Sequence, residues 1–151
     1  MQTFQGSGFT IPLHGGCMDA SAYTFVLPKK GGFSASLSIR FESGRYVKDL
    51  QAYANVALDA LKESVDEFVL LNQVAGKRGS NDGVMSNFEW GSGEARMRQK
   101  QYCLLTPGRA PSLYPRLYIL TSTDLASNAA HSDRIFNQMM KSFSPNEIQR
   151  F

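Results

Sequence analysis

The residues whose chemistry could matter most in this chain are few: two histidines, two cysteines and a short row of cations. His14 and Cys17 lie close in sequence. A thiolate nucleophile and its base also need a third orienting group and a site for the developing oxyanion, and neither is visible near them. His131 and Asp133 open an expected final helix, where solvation of the helix start is the simpler role. Neither histidine stands at metal-ligand spacing from another histidine, a cysteine or a carboxylate cluster. Gly6-Ser7-Gly8, Gly31-Gly32 and Gly91-Ser92-Gly93 lack the spacing of a phosphate cradle, so glycine is read here as turn-forming. A G-x-S-x-G elbow is also missing. No catalytic residue, metal or cofactor is therefore expected, and the chain is read as a non-enzyme.

The cations are of another kind. Arg96, Arg98 and Lys100 alternate with Met97, Gln99 and Gln101. On a strand such a row grips phosphates, or it is a solvated strand end whose charge discourages edge-to-edge aggregation. Aromatics that would stack bases are not interleaved with it, and the net charge of +3 is gathered nowhere. Nucleic acid is not an expected partner. Cys17 and Cys103 form no C-x-x-C pair and read as two reduced thiols of a cytosolic protein, with a disulfide or a reactive thiol as the alternative.

The elements that position these residues follow from periodicity. Phe4 and Phe9–Leu13 read as short strands broken by glycines. Residues 22–27 and 34–42 read as a hairpin turning at Lys29-Lys30-Gly31-Gly32. From Val47 the period changes to 3.6: Val47, Leu50, Ala54, Ala57, Leu61, Val65 and Phe68 mark one face of a long helix. Tyr53, Val56, Leu58 and Ala60 widen it beyond a narrow stripe, as suits a helix covered by sheet and loops or one bordering a groove. Four more strands follow at 68–75, 84–90, 95–105 and 114–122, with Lys77 to Gly83 read as a polar loop and Arg109 to Pro115 as a proline-rich connection. The strand at 114–122 is apolar on both faces, as a central strand should be. Asn128 to Phe143 is a second amphipathic helix, stopped by Pro145. The order β-β-β-β-α-β-β-β-β-α is α+β, an antiparallel sheet with two helices.

Side-chain alternation along these strands is lopsided. Tyr23, Phe25 and Leu27 alternate with Ala22, Thr24 and Val26; Leu37, Ile39 and Phe41 with Ser36, Ser38 and Arg40; Val84, Phe88 and Trp90 with Met85, Asn87 and Glu89. One sheet face is expected to be large and apolar, hence core. The other is small and mildly polar, and Met97, Gln99 and Gln101 are expected to share it. At 151 residues, 42% hydrophobic and 19% charged, the chain is long enough for one ordinary domain spanning 1–151. The opening MQTFQGSGFTIPLHGG lacks a basic start followed by a long apolar run, and no run approaches a membrane span. A soluble, cytoplasmic protein without stable membrane association is expected.

Several motifs, in this order, carry a resemblance: F-x-I-P at Phe9–Pro12, T-F-x-L-P at Thr24–Pro28, A-S-L-S-I at Ala35–Ile39, the middle helix with Tyr53, F-x-W at Phe88–Trp90, K-Q-Y at Lys100–Tyr102 and L-T-S-T at Leu120–Thr123. Over essentially its whole length the chain resembles the Eag-type chaperones of bacterial type VI secretion, a DcrB-related family with a PsbP/Mog1-like fold. The resemblance implies a homodimeric chaperone that shields the N-terminal transmembrane segments of a PAAR- or Rhs-type effector until it is mounted on the VgrG spike. By position it puts Ala22, Thr24, Ser38, Ala57, Leu61, Val65, Met97 and Gln101 on the effector-binding surface, with no cofactor and no metal. The chain departs from the family pattern in being smaller and more polar at Ala22, Thr24 and Ser38. A Mog1-like, non-catalytic binder of a folded cytosolic protein is the alternative reading.

Overall fold

The computed structural model describes residues 2–6, 8–15, 21–28, 32–108 and 114–145. Strands β1 (Gln2–Gly6) and β2 (Phe9–Leu13) pair as a separate two-stranded hairpin. The remaining strands are β3 (Ala22–Val26), β4 (Ser36–Ser43), β5 (Val69–Arg78), β6 (Asn81–Trp90), β7 (Met97–Thr106) and β8 (Arg116–Leu125). They form one antiparallel sheet in the order β3-β4-β8-β7-β6-β5. Helix α1 (Leu50–Ser64) lies on one face and α2 (Ala129–Ser142) on the other. The architecture is the expected α+β one, and the element order is the one the periodicity predicts.

Each face has its own core. Leu50 and Ala54 of α1 pack on Val84, Cys103, Leu117 and Ile119. Phe136 and Met140 of α2 pack on Leu37, Leu104, Tyr118 and Leu120. Strand β8 feeds both cores, so Leu117, Tyr118, Ile119 and Leu120 are all buried, which is why its sequence shows no alternation. Fully burying each large side chain contributes about 1.5–3 kcal/mol.

Local chemistry sets the element ends. The Asp49 carboxylate accepts from the Ala52 amide at 3.2 Å and caps α1. The helix runs only from Leu50 to Ser64, so Val47, Val65 and Phe68, expected on it from periodicity, lie outside it. At the end of β4, the Gly44 amide donates to the Pro115 carbonyl at 2.7 Å. A Cβ on Gly44 would press on the Pro115 carbonyl oxygen at 3.0 Å and push aside the end of the Leu105 side chain, so glycine suits this close approach. The stretch from Lys77 to Gly83 is not a loop. Strands β5 and β6 run on through it and turn only at Gly79-Ser80, with Gly79 at φ +62°; polar side chains at a strand end look like a loop in sequence. The Arg78 guanidinium then donates to the carbonyls of Met140, at 2.9 Å, and Lys141. It thereby adds donors to carbonyls at the end of α2, where Met140 otherwise accepts only from the Phe143 amide at 3.3 Å. No helix among the described residues is long and apolar enough to cross a membrane.

Candidate functional site

Strand register decides which side chains meet. Residues paired across an antiparallel ladder point to the same side, so the α1 face can be read across the sheet row by row. One row is Thr24, Ser38, Thr121, Gln101, Ser86 and Gln73, crossing all six strands. The next is Val26, Ser36, Thr123, Gln99, Phe88 and Leu70. Beyond it, Met97 pairs with Trp90 and Leu125. Of the residues expected at an effector-binding surface, Ala22, Thr24, Ser38, Met97 and Gln101 thus share the α1 face, and Thr24, Ser38 and Gln101 share a single row.

α1 contacts β6 and β7 on this face. Two hydrogen bonds fix its flanks. Gln51 Nε2 donates to Gln73 Oε1 on β5, and Gln73 Nε2 in turn donates to Ser86 Oγ at 3.0 Å. On the other flank the Tyr53 hydroxyl donates to Glu42 Oε1 of β4 at 2.7 Å. Burial and the hydrogen bond to Glu42 push the Tyr53 phenol up to about 12, so it stays a donor at neutral pH. The result is a shelf. Its floor is β3, β4, β8 and β7; α1 is its wall, and the Tyr53–Glu42 bond closes one end.

Of the wall residues, Ala57 lies one turn beyond Tyr53 and is half-buried. Leu61 continues the sheet-facing stripe of Leu50, Ala54 and Leu58, but unlike those three it is only half-buried. Val65 is the C-cap residue, also half-buried, and belongs to the link to β5 rather than to the helix. Apolar surface therefore stays open at this end of α1. The wider apolar stripe is only partly used, since Val56 is 69% exposed.

The floor is small, polar and largely self-satisfied. Thr24 Oγ1 and Ser38 Oγ lie 3.3 Å apart, and Gln99 Nε2 donates to Thr123 Oγ1 at 2.9 Å. Ser38, Thr121, Thr123, Gln99 and Gln101 are half-buried, while Ala22 and Thr24 are exposed. Thr121 and Thr123 also line this face and were not singled out in the sequence; their alternation with Leu120 and Ser122 was the signal that could have found them. Ser36 and Gln99, expected on the small face, lie there too.

Three expectations need correction here. The large apolar sides of the strands do not share a face: Leu37 turns to α2, whereas Val84 and Phe88 turn to α1. The side of Met97, Gln99 and Gln101 is therefore that of Phe88 and Trp90 as well as of Ser38 and Thr24. Nor is the large side of β3 core, because Tyr23 and Phe25 are 57% and 49% exposed on an edge strand.

The cation row is the third. It is neither a phosphate grip nor a solvated end, because β7 is an interior strand. Arg98 pairs with Glu89 at 3.1 Å and with Asp133 of α2 at 3.5 Å, and Lys100 reaches Asp133 at 3.3 Å and the Asn137 amide oxygen at 3.2 Å. Arg96 precedes the strand, where it pairs with Glu89 and donates to the Gly91 and Glu67 carbonyls.

The histidines and the described cysteine lie apart. His14 is exposed and its Nδ1 meets the neighbouring Gly15 carbonyl at 2.7 Å; Cys17 lies outside the described residues. Cys103 is core, and burial pushes its thiol up to about 11, away from a reactive thiolate. His131 borders a cavity of about 300 Å³ on the α2 face, beside Asp124 and Ser132. Asp124 is already engaged there by the Ser132 hydroxyl at 2.5 Å and the Leu125 amide at 2.7 Å. Among the described residues there is no group of three or more histidines, cysteines or carboxylates that could hold a metal ion.

No protein-family model and no curated protein matches the chain. Solved structures do. A protein of unknown function from Pseudomonas aeruginosa, PA94, described as a putative regulator, is similar at a TM-score of 0.75 and 17% identity, over 98% of this chain and 99% of that one. LpqN of Mycobacterium tuberculosis, described as involved in cell envelope biogenesis, is similar at a TM-score of 0.55 and 12% identity, over 84% of each chain. The cyanobacterial PsbP of Synechocystis, CyanoP, is similar at a TM-score of 0.50 and 12% identity, over 90% of this chain and 99% of that one. The fold is PsbP/Mog1-like. At these identities the likeness concerns the fold alone.

Proposed function

We propose that the chain is a cytoplasmic holdase whose shelf takes the N-terminal transmembrane segments of a type VI secretion effector of PAAR or Rhs type, keeping them soluble until loading on the VgrG spike. The observation that carries this reading is the row Thr24, Ser38, Thr121 and Gln101, laid in register beside the half-open apolar wall of α1. Membrane helices pack through small residues and through hydroxyl and amide hydrogen bonds, because burial against lipid gives them no preference for bulk. A floor of Ser, Thr and Gln beside Ala57 and Leu61 offers such a helix those contacts. Met97 at the open end adapts to varied side chains. The motif order in the sequence supports the same client class.

The test is co-expression with the hydrophobic N-terminal region of such an effector. A soluble complex is expected with the natural chain, and its loss is expected with Leu61→Asp or Met97→Asp, each folded by circular dichroism. A client equally soluble without the chain overturns the reading. Binding that tracks salt and ignores Leu61 would instead favour a Mog1-like partner surface.

A further inference from the structure

We infer that the cavity between the start of α2 and the end of β3 is a binding site for a small organic ammonium ion, an amine carried on an apolar stem. The cavity lies on the α2 face of the sheet, opposite the shelf, so this stands whether or not the shelf takes the client proposed above. Leu27, Phe33 and Ile135 give it apolar walls, and Asp124, Asn128 and His131 give it polar groups, within a volume of about 300 Å³. Ligand sites have this make-up: a mostly apolar lining with a few convergent polar groups, at volumes from roughly 300 Å³ upward.

Asp124 sets the charge of the ligand. At 6% exposure it is withdrawn from water, and a carboxylate buried without a cation is unfavourable. The other sheltered carboxylates of the α2 face do have cations: Glu89 holds Arg96 and Arg98, and Asp133 holds Arg98 and Lys100. Among the described residues no lysine or arginine pairs with Asp124. Arg98, its register partner on β7, is engaged by the other two carboxylates. The Leu125 amide and the Ser132 hydroxyl each occupy one of its oxygens. A carboxylate accepts about four hydrogen bonds, so each oxygen keeps room for another donor. An ammonium group brings both the donors and the missing charge. Asn128 stands at the cap position of α2 without a side-chain capping bond, and neither it nor His131 is hydrogen-bonded to another described residue. Their acceptors take the remaining ammonium hydrogens while the stem lies against the apolar walls. An anion drawn to the start of α2 would instead meet the carboxylate.

The test is calorimetric titration of the full chain with phenethylamine. Saturable, one-to-one binding is expected. The alcohol 2-phenylethanol has the same shape without the charge and should bind at least roughly tenfold more weakly, a comparison that needs no variant. Asp124→Asn keeps an acceptor for the Ser132 hydroxyl and should weaken the amine to the same degree, with far-UV circular dichroism to confirm folding. Ile135→Trp leaves the carboxylate in place but fills the cavity, and should abolish binding. Competition by Nα-acetyl-lysine methylamide would assign the natural ligand to a lysine side chain of a partner, and its absence to a free amine. A natural chain that binds no phenethylamine at millimolar concentration overturns the inference. So does equal binding of the alcohol, or an amine affinity indifferent to Asp124→Asn.

Discussion

Gln101 is the residue that best separates building from binding. Its amide sits half-buried in mid-floor with no hydrogen bond to another described residue, while Gln99 has one and Gln73, in the same row, has two. An amide held for structure would be partnered, since leaving one unpaired as it is withdrawn from water carries a cost. Replacing Gln101 by Leu should therefore shift chemical-unfolding stability by no more than about 0.5 kcal/mol, as at an ordinary surface position. The same change should reduce recovery of a client whose helix presents a polar group to the floor. Pull-down yield beside a urea melt checks both halves. Cys103 makes the opposite case: its burial and its raised pKa mark a packing residue.

Among the elements, β7 and α2 are tied by charge rather than by apolar contact along their first turns. Asp133 bridges Arg98 and Lys100, whose side chains are 25% and 12% exposed. Asp133→Ala leaves Lys100 with only the Asn137 amide oxygen and Arg98 with Glu89 alone. It should cost roughly 2–3 kcal/mol in urea unfolding, less than the 3–5 kcal/mol of a fully buried pair. Sequence alone showed the cations but not their carboxylates, because Glu89 and Asp133 lie on other elements and meet them only through folding. The elements themselves were legible, since the switch from period two to 3.6, the Asp49 cap and Pro145 are local signals. Register was not. Leu37 and Phe88 both alternate cleanly, yet nothing local says that one points to α2 and the other to α1, and so the two cores were merged into one. Parity within a strand, by contrast, is local, and the strand positions Ala22, Thr24, Ser38, Met97 and Gln101 do lie on one face.

For the whole molecule, β8 puts two buried residues into each core where β7 puts one, and β4 and β7 shield its two edges. Opening it disrupts both layers, so its amides should exchange only through global unfolding. Native-state hydrogen exchange should show Leu117 to Leu120 slowest and the separate β1–β2 hairpin fastest; equal protection across the chain would contradict this two-layer picture. The length of α1 has a consequence of its own. Fifteen residues at ~1.5 Å each make a wall of about 22 Å, while a membrane span needs ~30 Å of cover. A membrane segment laid along α1, as proposed, would overhang it by about 8 Å, more than one helical turn. With the Tyr53–Glu42 bond at one end, that overhang would fall at the other, on the row where Met97 pairs with Trp90 and Leu125.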